Sequence, residues 1–196
     1  MDNQTLAGKR VAILVADGFE QVEMTEPRRA LEEAGAFVSL VSPSLDQVQG
    51  FNHADKADRF PVEVHLDDAN EGEFDALLLP GGVANPDQLR IREKAVAFVR
   101  AFADAGKPIA AICHAPWTLI EAGVVNGRTL TSWPSLKTDL INAGAQWVDQ
   151  EVVTDNGLVT SRKPADIPAF NRKMIEEFAE GIHPAGARSR AAGGSR

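Results

Sequence analysis

Four short apolar runs recur along the chain, RVAILVA (10–16), AFVSLVS (36–42), DALLLPGG (75–82) and PIAAI (108–112), and each meets a polar, glycine or proline stop. Runs this short, without polar alternation, mark strands buried on both faces. Between them lie stretches with helical spacing. One covers 25–34, with Thr25 as its cap, Pro27 in its first turn and Gly35 as its stop. Another covers 88–105, with Leu89, Val96, Val99 and Phe102 on one face and Gly106 after it, and a third covers 114–122. Strand and helix therefore alternate through short connections. This predicts an α/β domain whose mostly parallel sheet is covered by helices on both faces.

The remaining segments are consistent with that class. Residues 42–60 read as polar and irregular, and PVEVHL (61–66) alternates like an edge or hairpin strand. RTLTS and AQWVD read as strands either side of a helix in PSLKTDLINAG. EVVTDNGLVTSR places two alternating runs around Asn156-Gly157, the strongest short-range hairpin signal. A last helix covers 164–180, and HPAGARSRAAGGSR, small, basic and poor in apolar residues, reads as a disordered tail. The expected organisation is one domain over 1–182 and a tail over 183–196.

With 196 residues, 44% of them hydrophobic, the chain can bury one sizeable core. Its formal charge of −8 argues against general nucleic-acid binding, which needs a basic face. A single cysteine excludes an intrachain disulfide and suits a reducing compartment. The first residues, MDNQTLAGKR, lack the apolar core of a signal peptide, and no apolar run approaches the ~20 residues of a membrane helix. The expected location is the cytoplasm, without a membrane partner.

The lone cysteine, Cys113, falls where PIAAI turns into a helix, with Ala111 and Ala115 two residues to either side. Ligands of open α/β sheets bind at the carboxyl ends of strands. A sharp strand–nucleophile–helix turn needs small residues at those two positions, although glycine is the more usual choice. Unpaired N–H groups at a helix start favour a thiolate. Taken alone, a lone cysteine is more often an inert core residue. His114 is adjacent in sequence and reaches the reacting group only if the backbone at the turn is strained. Pro80-Gly81-Gly82 after a strand can aim backbone N–H groups at an oxyanion, or can be a plain turn. DGFEQVEMTEP carries Glu20, Glu23 and Glu26, which could equally be a solvated acidic first turn. A carboxylate beside the thiol opposes its ionisation, so Glu23 next to Cys113 requires a raised carboxyl pKa.

Together, ADGFEQVEMTEP, DALLLPGG, EKAV, GKPIAAICHAPWTLIEAGVVNGR, INAGAQWVDQEVV and LVTSRKPADIPAFN resemble, in order, the PfpI-like branch of the ThiJ/PfpI superfamily. The resemblance implies a flavodoxin-like three-layer sandwich with a mostly parallel central sheet and a β-hairpin. It implies catalytic roles for Cys113, His114 and Glu23, with Gly81 and Gly82 on the oxyanion side beside the His114 N–H. Some members complete the site with an acid from a neighbouring subunit, and the nearest match here is Asp87. The family usually reads Cys-His-Gly, whereas this chain has Ala115, whose methyl would narrow the pocket or change the elbow angle. No cofactor or metal is expected.

The implied function is a cysteine-nucleophile stress enzyme acting on reactive carbonyls, of glyoxalase or deglycase type. The alternatives are an intracellular cysteine peptidase, acting on peptides, and a non-enzymatic redox sensor or chaperone. Self-association as a homodimer or larger ring is also implied. A glutamine amidotransferase would need a second catalytic His and Glu near the C-terminus. Here His183-Pro184-Ala185 offers the His without the Glu. No phosphate loop, paired cysteine or H-E-x-x-H motif points to nucleotide or zinc chemistry.

Overall fold

The computed structural model describes residues 5–183. Its strands are β1 (Arg10–Leu14), β2 (Phe19–Glu20), β3 (Phe37–Ser42), β4 (Gln47–Asn52), β5 (Asp55–Pro61), β6 (Val64–His65), β7 (Ala76–Leu79), β8 (Ile109–Ile112), β9 (Thr129–Leu130), β10 (Gln146–Trp147), β11 (Val152–Asp155) and β12 (Leu158–Ser161). Its helices are α1 (Gln21–Glu33), α2 (Ala84–Arg90), α3 (Glu93–Asp104), α4 (Pro116–Glu121), α5 (Lys137–Asn142) and α6 (Ile167–Glu180).

The central sheet runs β11-β12-β8-β7-β1-β3-β6. Every pairing in it is parallel except β11 with β12, the hairpin around Asn156-Gly157. Asn156 and Gly157 both have positive φ, 45° and 82°, as a tight two-residue hairpin turn demands. Among the main parallel strands the order β3-β1-β7-β8-β12 places the second strand outside the first and the third inside it. This is the flavodoxin-like arrangement, and its ligand crevice opens at the carboxyl ends of β1 and β7, where the order reverses.

Alternate residues of each central strand feed opposite layers. Val11, Ile13, Leu78, Ala110 and Ile112 face one cluster, with Met24 and Leu31 of α1 and Phe170, Met174 and Phe178 of α6. Ala12, Leu14, Leu77, Leu79 and Ala111 face the other, with Phe98, Val99 and Phe102 of α3, Leu119 of α4 and Leu140 of α5. The sheet is thus buried on both sides, which is why its strands read as continuous apolar runs.

Several local expectations change. Helix α1 begins at Gln21, four residues before Thr25, whose hydroxyl donates to the Gln21 carbonyl from inside the helix. The segment expected to be irregular forms the antiparallel β4–β5 pair, with β2 added along β4. The single helix expected over 88–105 is two, α2 and α3, separated by Ile91 and Arg92. His183, at the start of the expected tail, donates its backbone N–H to the Gly106 carbonyl at 2.8 Å. Residues 184–196 of that tail lie outside the described residues. No helix of the described residues is long and apolar enough to cross a membrane.

Candidate active site

Three strand ends converge at the crevice. From β1 the chain runs through β2 into α1, whose first turn carries Glu23. From β7 it enters Pro80-Gly81-Gly82, and from β8 it reaches Cys113.

The turn at Cys113 is strained. Its φ is 64°, in the left-handed region, although it bears a side chain. For a non-glycine residue this costs on the order of 1–3 kcal/mol and persists only when surroundings hold it. Here the Cys113 N–H donates to the Ser161 carbonyl at 3.0 Å, extending the β8–β12 pairing by one residue. The Cys113 carbonyl accepts from the Trp133 N–H at 2.9 Å, and the Ala115 N–H closes onto the Ile112 carbonyl at 3.1 Å. Pro116 then opens α4 at the position where proline loses nothing. Ala115 has helical φ and ψ of −53° and −32°, and its methyl is fully buried in the helix layer. Glycine is therefore not required there, and the methyl points into the core rather than across a pocket.

The strained elbow does what ordinary helical geometry would not: it brings neighbouring side chains together. His114 Nδ1 lies 3.1 Å from Cys113 Sγ. The ring of His114 is stacked on Trp133, with centroids 5.7 Å apart and planes at 22°, and is flanked by Trp117 at 5.3 Å. Cys113 and His114 are both buried, at 6% and 8% exposed.

Glu23 is completely buried. Its Oε2 accepts from the Gly81 N–H at 2.9 Å, while Oε1 has no comparable partner among the described residues. The Cys113 side chain is a close neighbour of this carboxyl. Gly81 is what permits the approach. A Cβ there would lie 2.6 Å from both Cys113 Cβ and Glu23 Oε2. Gly82 has φ of 77°, and a Cβ on it would strike the Gly18 carbonyl at 2.5 Å. The two glycines therefore differ in role. The Gly81 N–H holds Glu23, whereas the Gly82 and His114 N–H groups act on the thiol, lowering its pKa. Of the three N–H groups expected on the oxyanion side, that of Gly81 is thus taken by Glu23.

Electrostatics follow from burial. Desolvation pushes the Glu23 carboxyl up to about 8, against the opposing pull of the Gly81 N–H and the Cys113 side chain. Burial first, and then a charge on Glu23, push the Cys113 thiol well above the ordinary thiol range, opposed by the Gly82 and His114 N–H groups. The expected resting thiolate is thus disfavoured. Burial lowers the His114 pKa, leaving a neutral imidazole near pH 7. At neutral pH the site holds a protonated Glu23, a thiol and a neutral base. A protonated Glu23 removes the second cause of the high thiol pKa and can donate a hydrogen bond toward sulfur.

Asp87 is more than half exposed and bonded to Arg90 of its own chain, at 2.6 and 3.0 Å. The Arg90 guanidinium stacks over Trp117 at 4.7 Å, and the Trp117 Nε1–H donates to Asp139 at 2.9 Å. Within one chain Asp87 therefore reaches His114 only through Arg90 and Trp117. His183 stands at the amino end of β8 and Cys113 at its carboxyl end, separated by a strand of roughly 13 Å. An amidotransferase triad is not assembled.

Two residues to which the sequence assigned no part in the site support it. Asn85, fully buried, donates from Nδ2 to the Pro80 and Gly81 carbonyls and accepts from the Ala16 N–H, fastening the end of β1 to the glycine turn. Trp133 supplies both the stack on His114 and the bond to the Cys113 carbonyl. Asn85 lies inside α2, whose N-cap Val83 makes no side-chain cap bond, so no capping signal marked it. Nothing local tied Trp133, twenty residues from the elbow, to His114.

Known proteins are similar to this chain in sequence and in fold. A deglycase of Pyrococcus horikoshii, PH1704, is 44% identical over 167 residues, spanning 85% of this chain and 98% of its own. Protein/nucleic acid deglycase 2 of Escherichia coli is 42% identical over 168 residues, spanning 85% of this chain and 96% of its own. The crystal structure of Drosophila melanogaster DJ-1beta superposes with a TM-score of 0.79 at 31% identity, covering 87% of this chain and 90% of that one. The DJ-1/PfpI family profile matches residues 9–177, and the chain belongs to that family.

Proposed function

We propose that this protein is a thiol-dependent enzyme of deglycase or glyoxalase type, with Cys113 as nucleophile, His114 as base and Glu23 as the acid that governs the thiol. The observation that carries this reading is the strained Cys113, which sets His114 Nδ1 3.1 Å from Sγ beside a buried carboxyl raised to about 8. The names of two close relatives, both deglycases, support the substrate class.

In this reading a 2-oxoaldehyde enters at the aromatic mouth. The Cys113 S–H proton passes to His114 Nδ1 as sulfur adds to the aldehyde carbon. The C=O π bond becomes a C–O bond, and that oxygen takes up the proton, giving a hemithioacetal. The Gly82 and His114 N–H groups face the oxygen as its charge develops. The proton on the former aldehyde carbon then leaves and one returns to the neighbouring carbon. The aldehyde carbon is oxidised to a thioester and the ketone carbon reduced to an alcohol, with no external oxidant. Water hydrolyses the thioester, regenerating the thiol and releasing a 2-hydroxy acid. From an amine adduct of the same aldehyde, sulfur displaces the amine and the later steps are unchanged.

The proposal extends to a cytoplasmic location and to self-association. Asp87, exposed on α2, is then available to the site of another copy once Arg90 releases it; light scattering on the purified chain checks the assembly. Turnover of methylglyoxal by wild type and by Cys113→Ala, beside an unfolded-peptide substrate, tests the chemistry. Turnover abolished in Cys113→Ala supports the reading. Full turnover without Cys113 overturns it, and cleavage of the peptide without carbonyl turnover replaces it with a peptidase.

A further inference from the structure

The end of the sheet opposite Cys113 carries a second cluster. Glu177 and Glu180, near the end of α6, and His183, just beyond it, present Glu177 Oε2, Glu180 Oε2 and His183 Nε2 within 4.8 Å of one another. The spacing is E-x-x-E-x-x-H, which carries the His from the last helical turn round the left-handed Gly181, φ 82°.

This cluster differs from a solvated acidic face in three ways. First, Glu177 is nine-tenths buried, and its Oε2 and the His183 Nε2 are both buried without a hydrogen-bond partner of acceptable geometry among the described residues. They nevertheless lie 3.2 Å apart, and Glu180 Oε2 is 4.0 Å from the same nitrogen. Two such donor atoms at that separation, without an aligned hydrogen bond between them, can share one cation. Second, the His183 ring has a built seat. Its backbone N–H is fixed by the Gly106 carbonyl, and a Cβ on Gly157 would meet ring atom Cδ2 at 2.8 Å. A Cβ on Gly106 would meet the His183 carbonyl at 2.2 Å. Third, no lysine or arginine among the described residues is ion-paired with Glu177 or Glu180, whose ionic partner there is His183. The nearby Lys173 is engaged by Glu176.

Zinc takes histidine nitrogen and carboxylate oxygen at about 2.0–2.2 Å, so two donors on one ion stand roughly 3–3.5 Å apart. The fixed pair already has that separation, and Glu180, largely exposed, can swing in from the solvent side. The negative end of α6 adds a favourable field for a cation. We propose that Glu177, Glu180 and His183 form a divalent-metal site of zinc type, completed by water, which clamps the end of α6 to the β11–β12 turn and to the end of α3. It is separate from the thiol site and was not anticipated from the sequence.

Calorimetric titration of the EDTA-treated full chain with Zn2+ tests this, using wild type, Cys113→Ser, Glu180→Gln and His183→Asn. One ion bound per chain is expected in wild type and in Cys113→Ser. His183→Asn and Glu180→Gln should each weaken binding by tenfold or more, because removing even an outer-sphere partner costs roughly 10–100-fold. Glu180 is exposed, so its variant tests the site even if His183→Asn unfolds. No binding to wild type would overturn the proposal and leave a proton-bridged ion pair. Binding that survives both ligand variants, or that disappears in Cys113→Ser, would overturn it as well.

Discussion

Gly81 has its place because Cys113 and Glu23 leave no room for a side chain between them. In Gly81→Ala the new methyl must displace one of these two groups, both of which sit on rigid elements. Overpacking of this kind costs typically 1–3 kcal/mol. We expect Gly81→Ala to lose about that much stability and to lose methylglyoxal turnover by more than about a hundredfold, since misplacement near 1 Å has effects of that size. A folded, fully active Gly81→Ala, assayed alongside urea unfolding, would show that Glu23 need not lie against the sulfur. At this scale the sequence was only partly legible. Cys113 was readable as a candidate because a strand end and small residues mark an elbow, whereas His114 and Glu23 gained their roles from the family resemblance. The division of labour between Gly81 and Gly82 was not readable, because it depends on which N–H faces Glu23. Nor was the thiol's raised pKa, because burial outweighs the N–H groups that argued for a thiolate.

Elements were legible wherever local chemistry and tertiary packing agreed. DALLLPGG and PIAAI became β7 and β8, buried on both faces, and Asn156-Gly157 turned the β11–β12 hairpin. The start of α1 was misplaced because Thr25 resembled a cap, while the actual boundary follows β2, held along β4 by tertiary pairing. The β4–β5 pair was missed because β5 is exposed or half-buried throughout, so no apolar alternation shows in its sequence. Its turn passes through His53, at φ 58°, rather than through a glycine. The junction between elements that matters most for the site is Asn85. Asn85→Ala leaves the Ala16 N–H and the Pro80 carbonyl buried without their side-chain partner. Orphaned buried groups cost about 1–3 kcal/mol each. We expect a loss of roughly 2–4 kcal/mol in urea unfolding, with a larger fractional loss of kcat than of KM effect. A change below roughly 0.5 kcal/mol would mean that the turn is held by other contacts.

At the scale of the whole molecule, Glu23 couples folding to pH. Its carboxyl, at about 8 in the fold against 4.5 as its ordinary value, holds its proton more tightly when folded. The native state therefore binds more protons between these values. The stabilisation is fully present below about 4.5 and is lost as pH rises through about 8, by a few kcal/mol at most. Glu23→Gln has no proton to lose there. Urea unfolding at about pH 5 and about pH 8 should show wild type losing stability relative to Glu23→Gln over that window. Parallel profiles would mean that the carboxyl titrates normally. The same proton governs the chemistry. With Glu23 protonated, the thiol is spared a neighbouring charge and His114 can take its proton; with Glu23 ionised, both advantages disappear. The most direct test is kcat/KM for methylglyoxal from about pH 5 to about pH 10, which reports the essential groups of the free enzyme. The arrangement of Glu23, Cys113 and His114 predicts activity sustained through neutrality and falling above about pH 8. A rate that climbs through about pH 8.5, as for an ordinary thiol forming thiolate, would contradict it.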